Sequence, residues 1–242
     1  MAIRIGSLAV ILVLTSPLAW NQERASAIIG PPQQPSKSSI STARLLVPHR
    51  ARLLYEKAIK PFREHRYDAA QRHLNEALHV YPAFPEALTL LGYIQLDLKQ
   101  WEAAEQSLQA AIRSDSTYGV AYLILSHLYN MEKRFDDAVE MSQRASALMP
   151  DDWMAAYEMC TSFIKTEQYA TAVKLGDAAL RTTRGTMLHL AKAHALTGLK
   201  RYSEAVVELR TYLSDDPTGE GSQDARNLLD WIQNVANQEA TR

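Results

Sequence analysis

Tyr67-Asp68-Ala69-Ala70 returns along the chain as Trp101-Glu102-Ala103-Ala104, Phe135-Asp136-Asp137-Ala138, Tyr169-Ala170-Thr171-Ala172 and Tyr202-Ser203-Glu204-Ala205. The leading aromatics stand 34, 34, 34 and 33 residues apart. A fixed period of this length describes one supersecondary unit repeated, each copy burying its apolar face on the next. Working outward from the aromatics gives five units, near residues 51–84, 85–118, 119–152, 153–185 and 186–219. Small residues keep the same beat. Position 8 of the units holds Ala58, Gly92, Ser126, Cys160 and Ala193, and position 20 holds Ala70, Ala104, Ala138, Ala172 and Ala205. Small side chains at both places let the two helices of a unit approach closely. Position 27 repeats the device with Ala77, Ala111, Ala145 and Ala179, and Tyr212 departs from it in the last unit.

An aromatic three places before an alanine at this period resembles the tetratricopeptide repeat family, here as an exported, bacterial-type member. The resemblance implies an all-α fold: a right-handed superhelical solenoid of about five helix-turn-helix repeats. Pro82, Pro150 and Pro217 fall at position 32, where the second helix must stop, while Ser116 and Arg184 stand there in the second and fourth units. Pro85 suits the first turn of a helix, where its missing N–H costs little. Pro61 lies inside the first helix and predicts a kink. Past the last unit, residues 222–238 place Ala225, Leu228, Leu229, Ile232 and Val235 on one face, the pattern of a capping helix.

The rest of the composition excludes more than it assigns. The chain has 242 residues, 26 Lys and Arg against 27 Asp and Glu, and one Cys. A lone Cys160 supports neither a disulfide framework nor a zinc knuckle, and a net charge of -1 argues against a nucleic-acid partner. Residues 1–27 carry Arg4, an apolar stretch Ile5 to Trp20 and Ala25-Ser26-Ala27, which predicts a signal peptide. A periplasmic or secreted protein follows, with an uncleaved membrane anchor as the alternative. Residues 28–43, rich in Pro and Ser, read as a flexible linker.

In the family, positions 2, 5, 9 and 12 of each first helix line a concave face where peptides dock. Carried over, the resemblance puts Tyr55 and Ile59 there in the first unit, and Thr89 and Tyr93 in the second. Leu123, His127 and Asn130 follow in the third, Tyr157 and Thr161 in the fourth, and Leu190 and His194 in the fifth. Chaperone-docking members hold a terminal carboxylate with Lys, Arg and Asn, but here Tyr, Thr, Leu and His dominate. The largely neutral groove instead suits an extended or helical apolar segment whose polar atoms meet tyrosine hydroxyls. On this reading Tyr93→Ala with Tyr157→Ala abolishes binding and spares the fold.

Residues that carry chemistry elsewhere have plainer readings. His127 and His194 lie two units apart, about 20 Å at ordinary helix spacing, too far to share a metal. His189 and His194 point to different helix faces. Cys160 packs between helices, and Asp151-Asp152 caps a helix start. No phosphate-loop, nucleophile-elbow, zinc-protease or dinucleotide motif occurs. Charge is uneven: residues 37–73 carry nine Lys and Arg against three acids, and residues 204–242 three against eight. The sequence thus predicts a non-catalytic adaptor or scaffold of the cell envelope that binds a partner protein in its groove. It needs no cofactor, metal, nucleic acid or small-molecule substrate. The basic N-terminal end adds a weak contact with anionic envelope surfaces. The alternative is a structural subunit of an envelope assembly that uses its charged ends or convex face.

Overall fold

A computed structural model describes residues 46–219 and 221–240. The expected signal peptide and linker lie outside the described residues. Those residues form eleven α-helices and no strand. In chain order they are α1 (His49–Arg63), α2 (Tyr67–Val80), α3 (Pro85–Asp97), α4 (Trp101–Ser114), α5 (Gly119–Met131) and α6 (Phe135–Leu148). There follow α7 (Trp153–Lys165), α8 (Tyr169–Thr182), α9 (Met187–Gly198), α10 (Tyr202–Asp215) and α11 (Ser222–Ala240). Odd-numbered helices up to α9 are the first, or A, helices of the five units, and the even ones are the B helices. The fold is an all-α repeat solenoid.

Each A helix packs on the B helix of its own unit, and each B helix on the next A helix. From α3 to α9, successive A helices also touch each other more extensively than successive B helices do. The stack therefore bends toward the A helices, which form its inner layer. None of the helices among the described residues is long and apolar enough to cross a membrane.

The small residues act through the backbone. A methyl group on Gly92 would meet Leu108 Cγ at 2.8 Å and the Ala104 carbonyl at 3.3 Å. Ser126 Oγ donates to the Ala138 carbonyl at 2.9 Å, and Cys160 Sγ lies 3.6 Å from that of Ala172. Position 8 thus sits against the position-20 carbonyl, and every position-20 alanine is at most 1% exposed. Cys160 is equally buried, which pushes its thiol up to about 12. At position 27 of the last unit, Tyr212 is fully buried and its hydroxyl accepts the Gly221 N–H at 3.0 Å. A tyrosine fits there because its hydroxyl reaches the turn that leads into α11.

The turn inside each unit is the same five times. His65, Lys99, Lys133, Glu167 and Lys200 all have φ between 54° and 62°. Each lies at position 15 and closes its A helix with paired bonds, such as Lys99 N–H to the Leu96 carbonyl at 2.9 Å and Gln100 N–H to Gln95 at 2.8 Å. This is the left-handed cap that glycine normally fills. Pro61 belongs to the same device: α1 runs through it to Arg63, and its carbonyl accepts the Arg66 N–H at 2.9 Å. The proline lies in the last turn of α1, so the helix ends soon after it.

Asp152 caps α7, accepting the N–H groups of Met154 and Ala155 at 2.9 Å each. At the C-terminal end, α11 turns Ala225, Leu228 and Ile232 inward and packs on α10, closing the apolar stack.

Candidate functional site

The A helices present the predicted groove positions in two conditions. Tyr55, Ile59, His127 and Asn130 are half-buried. Thr89, Tyr93, Leu123, Tyr157, Thr161, Leu190 and His194 are buried, with Tyr93 and Tyr157 each 1% exposed. Tyr93 stands edge-on to Phe62, ring centroids 5.7 Å apart, and Tyr55 lies 5.3 Å from Phe84. Truncating Tyr93 and Tyr157 therefore removes core volume, at a cost of about 3–5 kcal/mol for each such aromatic. The expectation that this double substitution spares the fold is corrected. The tyrosines belong to the packing between repeats, and side-chain access falls to their half-buried neighbours.

A polar cluster joins α5 to α7 on this inner layer. His127 Nδ1 lies 3.0 Å from Glu158 Oε1, while Asn130 Nδ2 donates to Glu158 Oε2 at 3.2 Å and to Ser162 Oγ at 3.0 Å. The Glu158 side chain is 1% exposed and that of His127 25%. The periodic reading of positions 2, 5, 9 and 12 passed over Glu158 and Ser162, which occupy positions 6 and 10. Their signal was their polarity on a helix that is mainly apolar, with Thr161 and Lys165 as its other polar residues besides Tyr157. In the last unit His194 Nε2 meets Asp224 Oδ2 of α11 at 3.0 Å, with the histidine side chain 3% exposed. His127 and His194 thus serve separate contacts. Among the described residues, no group of three His, Cys, Asp or Glu side chains is arranged to hold a metal.

Three polar atoms of the inner layer stand apart. Thr89 Oγ1, Asn130 Oδ1 and Thr161 Oγ1 are buried and have no hydrogen-bond partner among the described residues. They come from three successive units, on α3, α5 and α7. A buried polar atom left unbonded costs about 1–3 kcal/mol, and each of the three lies beneath the surface, out of reach of a segment docked on the layer.

The other side of the array is closed by internal pairs. Lys192 Nζ on α9 lies 2.6 Å from both Asp177 on α8 and Glu208 on α10, and His189 Nδ1 is 2.7 Å from Glu208. Burial alone would raise the Glu208 carboxyl, but the bonds from His189 and Lys192 outweigh it and hold the pKa below the usual range. His189 and His194 do point to different faces, one to α10 and the other to α11.

A family model described as tetratricopeptide repeat matches residues 62–124. Among curated proteins, anaphase-promoting complex subunit 3 of Schizosaccharomyces pombe is 28% identical over 154 residues. The match takes in 61% of this chain but only 22% of that protein, so the chain spans about a fifth of its curated relative. Among solved structures, a thermophilic protein of these repeats from Thermus thermophilus is similar with a TM-score of 0.61 and 20% identity, covering 76% of this chain and 98% of its own. PilF of Pseudomonas aeruginosa is similar with a TM-score of 0.65 and 15% identity, covering 79% of this chain and 90% of its own. At these identities the solved structures share the fold.

Proposed function

We propose that this chain, a tetratricopeptide repeat protein, is a non-catalytic adaptor or scaffold of the cell envelope that holds a segment of another protein along its A helices. Arrays of this fold are in general platforms for protein–protein interaction. The observation that carries the reading here is the row of half-buried polar side chains on the A helices, Tyr55, His127 and Asn130. An extended segment lying across successive A helices would meet these side chains in turn, which suits a row of polar groups better than a single compact ligand does. Half-buried Ile59 and Ile164 flank that row and give the segment apolar contacts. Delivery to the envelope rests on the sequence of residues 1–27, an apolar stretch ending in Ala25-Ser26-Ala27.

The test is affinity capture from envelope extract with the tagged full chain, read by mass spectrometry, beside Ile59→Ala with Ile164→Ala. Both side chains are half-buried and smaller than the core tyrosines, so the helical circular dichroism should persist. A captured protein should be depleted about tenfold or more with the variant, as when contacts of a central cluster are truncated. Equal recovery of every captured protein by both forms sinks the inner-layer site.

A further inference from the structure

The two charged ends of the array differ once side chains are placed. At the acidic end, Glu204 pairs with Arg201 at 2.6 Å, Glu208 with Lys192 and His189, and Asp224 with His194. Those three acids are paired within the array, while Asp215 and Asp230 at the same end stay exposed.

The basic end is not neutralised in this way. Helix α1 holds Arg50, Arg52, Lys57, Lys60 and Arg63 against one acid, Glu56, and all six are exposed. Lys60 approaches Glu64 only at 4.0 Å, with its side chain 80% exposed. Arg50, Arg52, Lys57 and Arg63 form no ion pair among the described residues. At helical spacing Arg50, Leu53, Lys57 and Lys60 share one face, opposite the buried Ala51, Ala58 and Phe62. Among the described residues α1 is the first helix of the stack and has a repeat on one side only. Two leucines interrupt the positive face: Leu53 is 44% exposed, and Leu46 just before the helix is 68% exposed.

We infer that the outer face of α1 is a docking surface for an anionic lipid bilayer. Exposed cations interleaved with leucines fit a surface that has phosphate headgroups over an apolar layer; a polyanion such as nucleic acid gives the leucines nothing. In the sequence the apolar stretch Ile5 to Trp20 precedes α1, with residues 21–48 between them. On the alternative in which residues 1–27 stay uncleaved, the apolar segment and the polybasic face together make a two-signal membrane attachment, whereas either alone is weak. The surface is distinct from the inner layer of A helices, so it stands whether or not a peptide binds there.

The test compares binding of the full chain to phosphatidylcholine vesicles with and without phosphatidylglycerol, by co-sedimentation. The variants are Arg50→Glu/Lys57→Glu/Lys60→Glu, its milder form Arg50→Gln/Lys57→Gln/Lys60→Gln, and a control with equal charge change, Lys133→Glu/Lys174→Glu/Arg210→Glu. Wild type should prefer the anionic vesicles by roughly thirtyfold or more at low salt, and lose that preference as salt is raised. Both α1 variants should lose most of the preference, while the control keeps it. Equal preference in wild type and the glutamine variant overturns the inference, as does equal loss in the control. So does release by inorganic phosphate at constant ionic strength, which would mark a site for a single anion. Binding to a DNA duplex as tight as to the anionic vesicles at the same salt would also overturn it.

Discussion

Position 15 of each unit is occupied by His65, Lys99, Lys133, Glu167 or Lys200 in the left-handed conformation, a place where a Cβ costs about 1 kcal/mol. Position 24 of the fourth unit has the opposite mismatch. Gly176 sits inside α8, and a methyl group there would meet Lys192 Cβ at 3.5 Å, ordinary contact. Glycine in a helix interior is destabilising by about 0.5–1 kcal/mol relative to alanine. Lys99→Gly, Lys133→Gly and Gly176→Ala should therefore each raise stability by about 0.5–1 kcal/mol and add together, being far apart. Urea unfolding checks this; a fall in midpoint for the lysine replacements would mean that their aliphatic stems stabilise the turn more than its backbone strain costs. None of these turns was legible in the sequence, because the residue that advertises them, glycine, is absent from all five.

At the scale of the element, α11 is held by its apolar face and by polar contacts that include His194 to Asp224. Lys165 also feels Asp224, although burial, the larger effect, pulls its pKa down. Removing the carboxylate by Asp224→Ala leaves His194 Nε2 buried without that partner, at about 1–3 kcal/mol. Hydrogen exchange of α11 amides should then quicken by tenfold or more while α1 to α4 keep their protection. Uniform quickening along the whole array would show instead that α11 opens only with global unfolding. The helix itself was readable from its amphipathic spacing. Its anchor was not, because the tie runs 30 positions along the chain from the last A helix.

At the scale of the whole molecule, the buried apolar residues among the described ones fall into two large clusters, one from Val47 to Ala138 and one from Ala156 to Ile232. Only Leu123, Ala145, Met154 and Ala155 form a small buried group between them. The reason is visible at position 24, where Leu74, Leu108 and Leu209 are fully buried but the middle units have Ser142 and Gly176. The polar cluster of His127, Asn130, Glu158 and Ser162 spans this junction. His127→Ala with Asn130→Ala should uncouple the halves, splitting one urea transition into two by fluorescence and circular dichroism. A single transition at a lower midpoint would mean that backbone stacking alone couples them. The unit length, the helix pairs and the capping helix follow from the sequence by itself, because a period of small and aromatic residues reports contacts made within a unit and with its neighbour. Only the tertiary structure decided which groove positions stay half-buried, that Tyr93 and Tyr157 are core, and that the cations Arg50, Arg52, Lys57 and Arg63 of α1 find no ion partner among the described residues. Exposure and ion pairing depend on which side chains from other helices arrive at a place, and a local period carries no record of that.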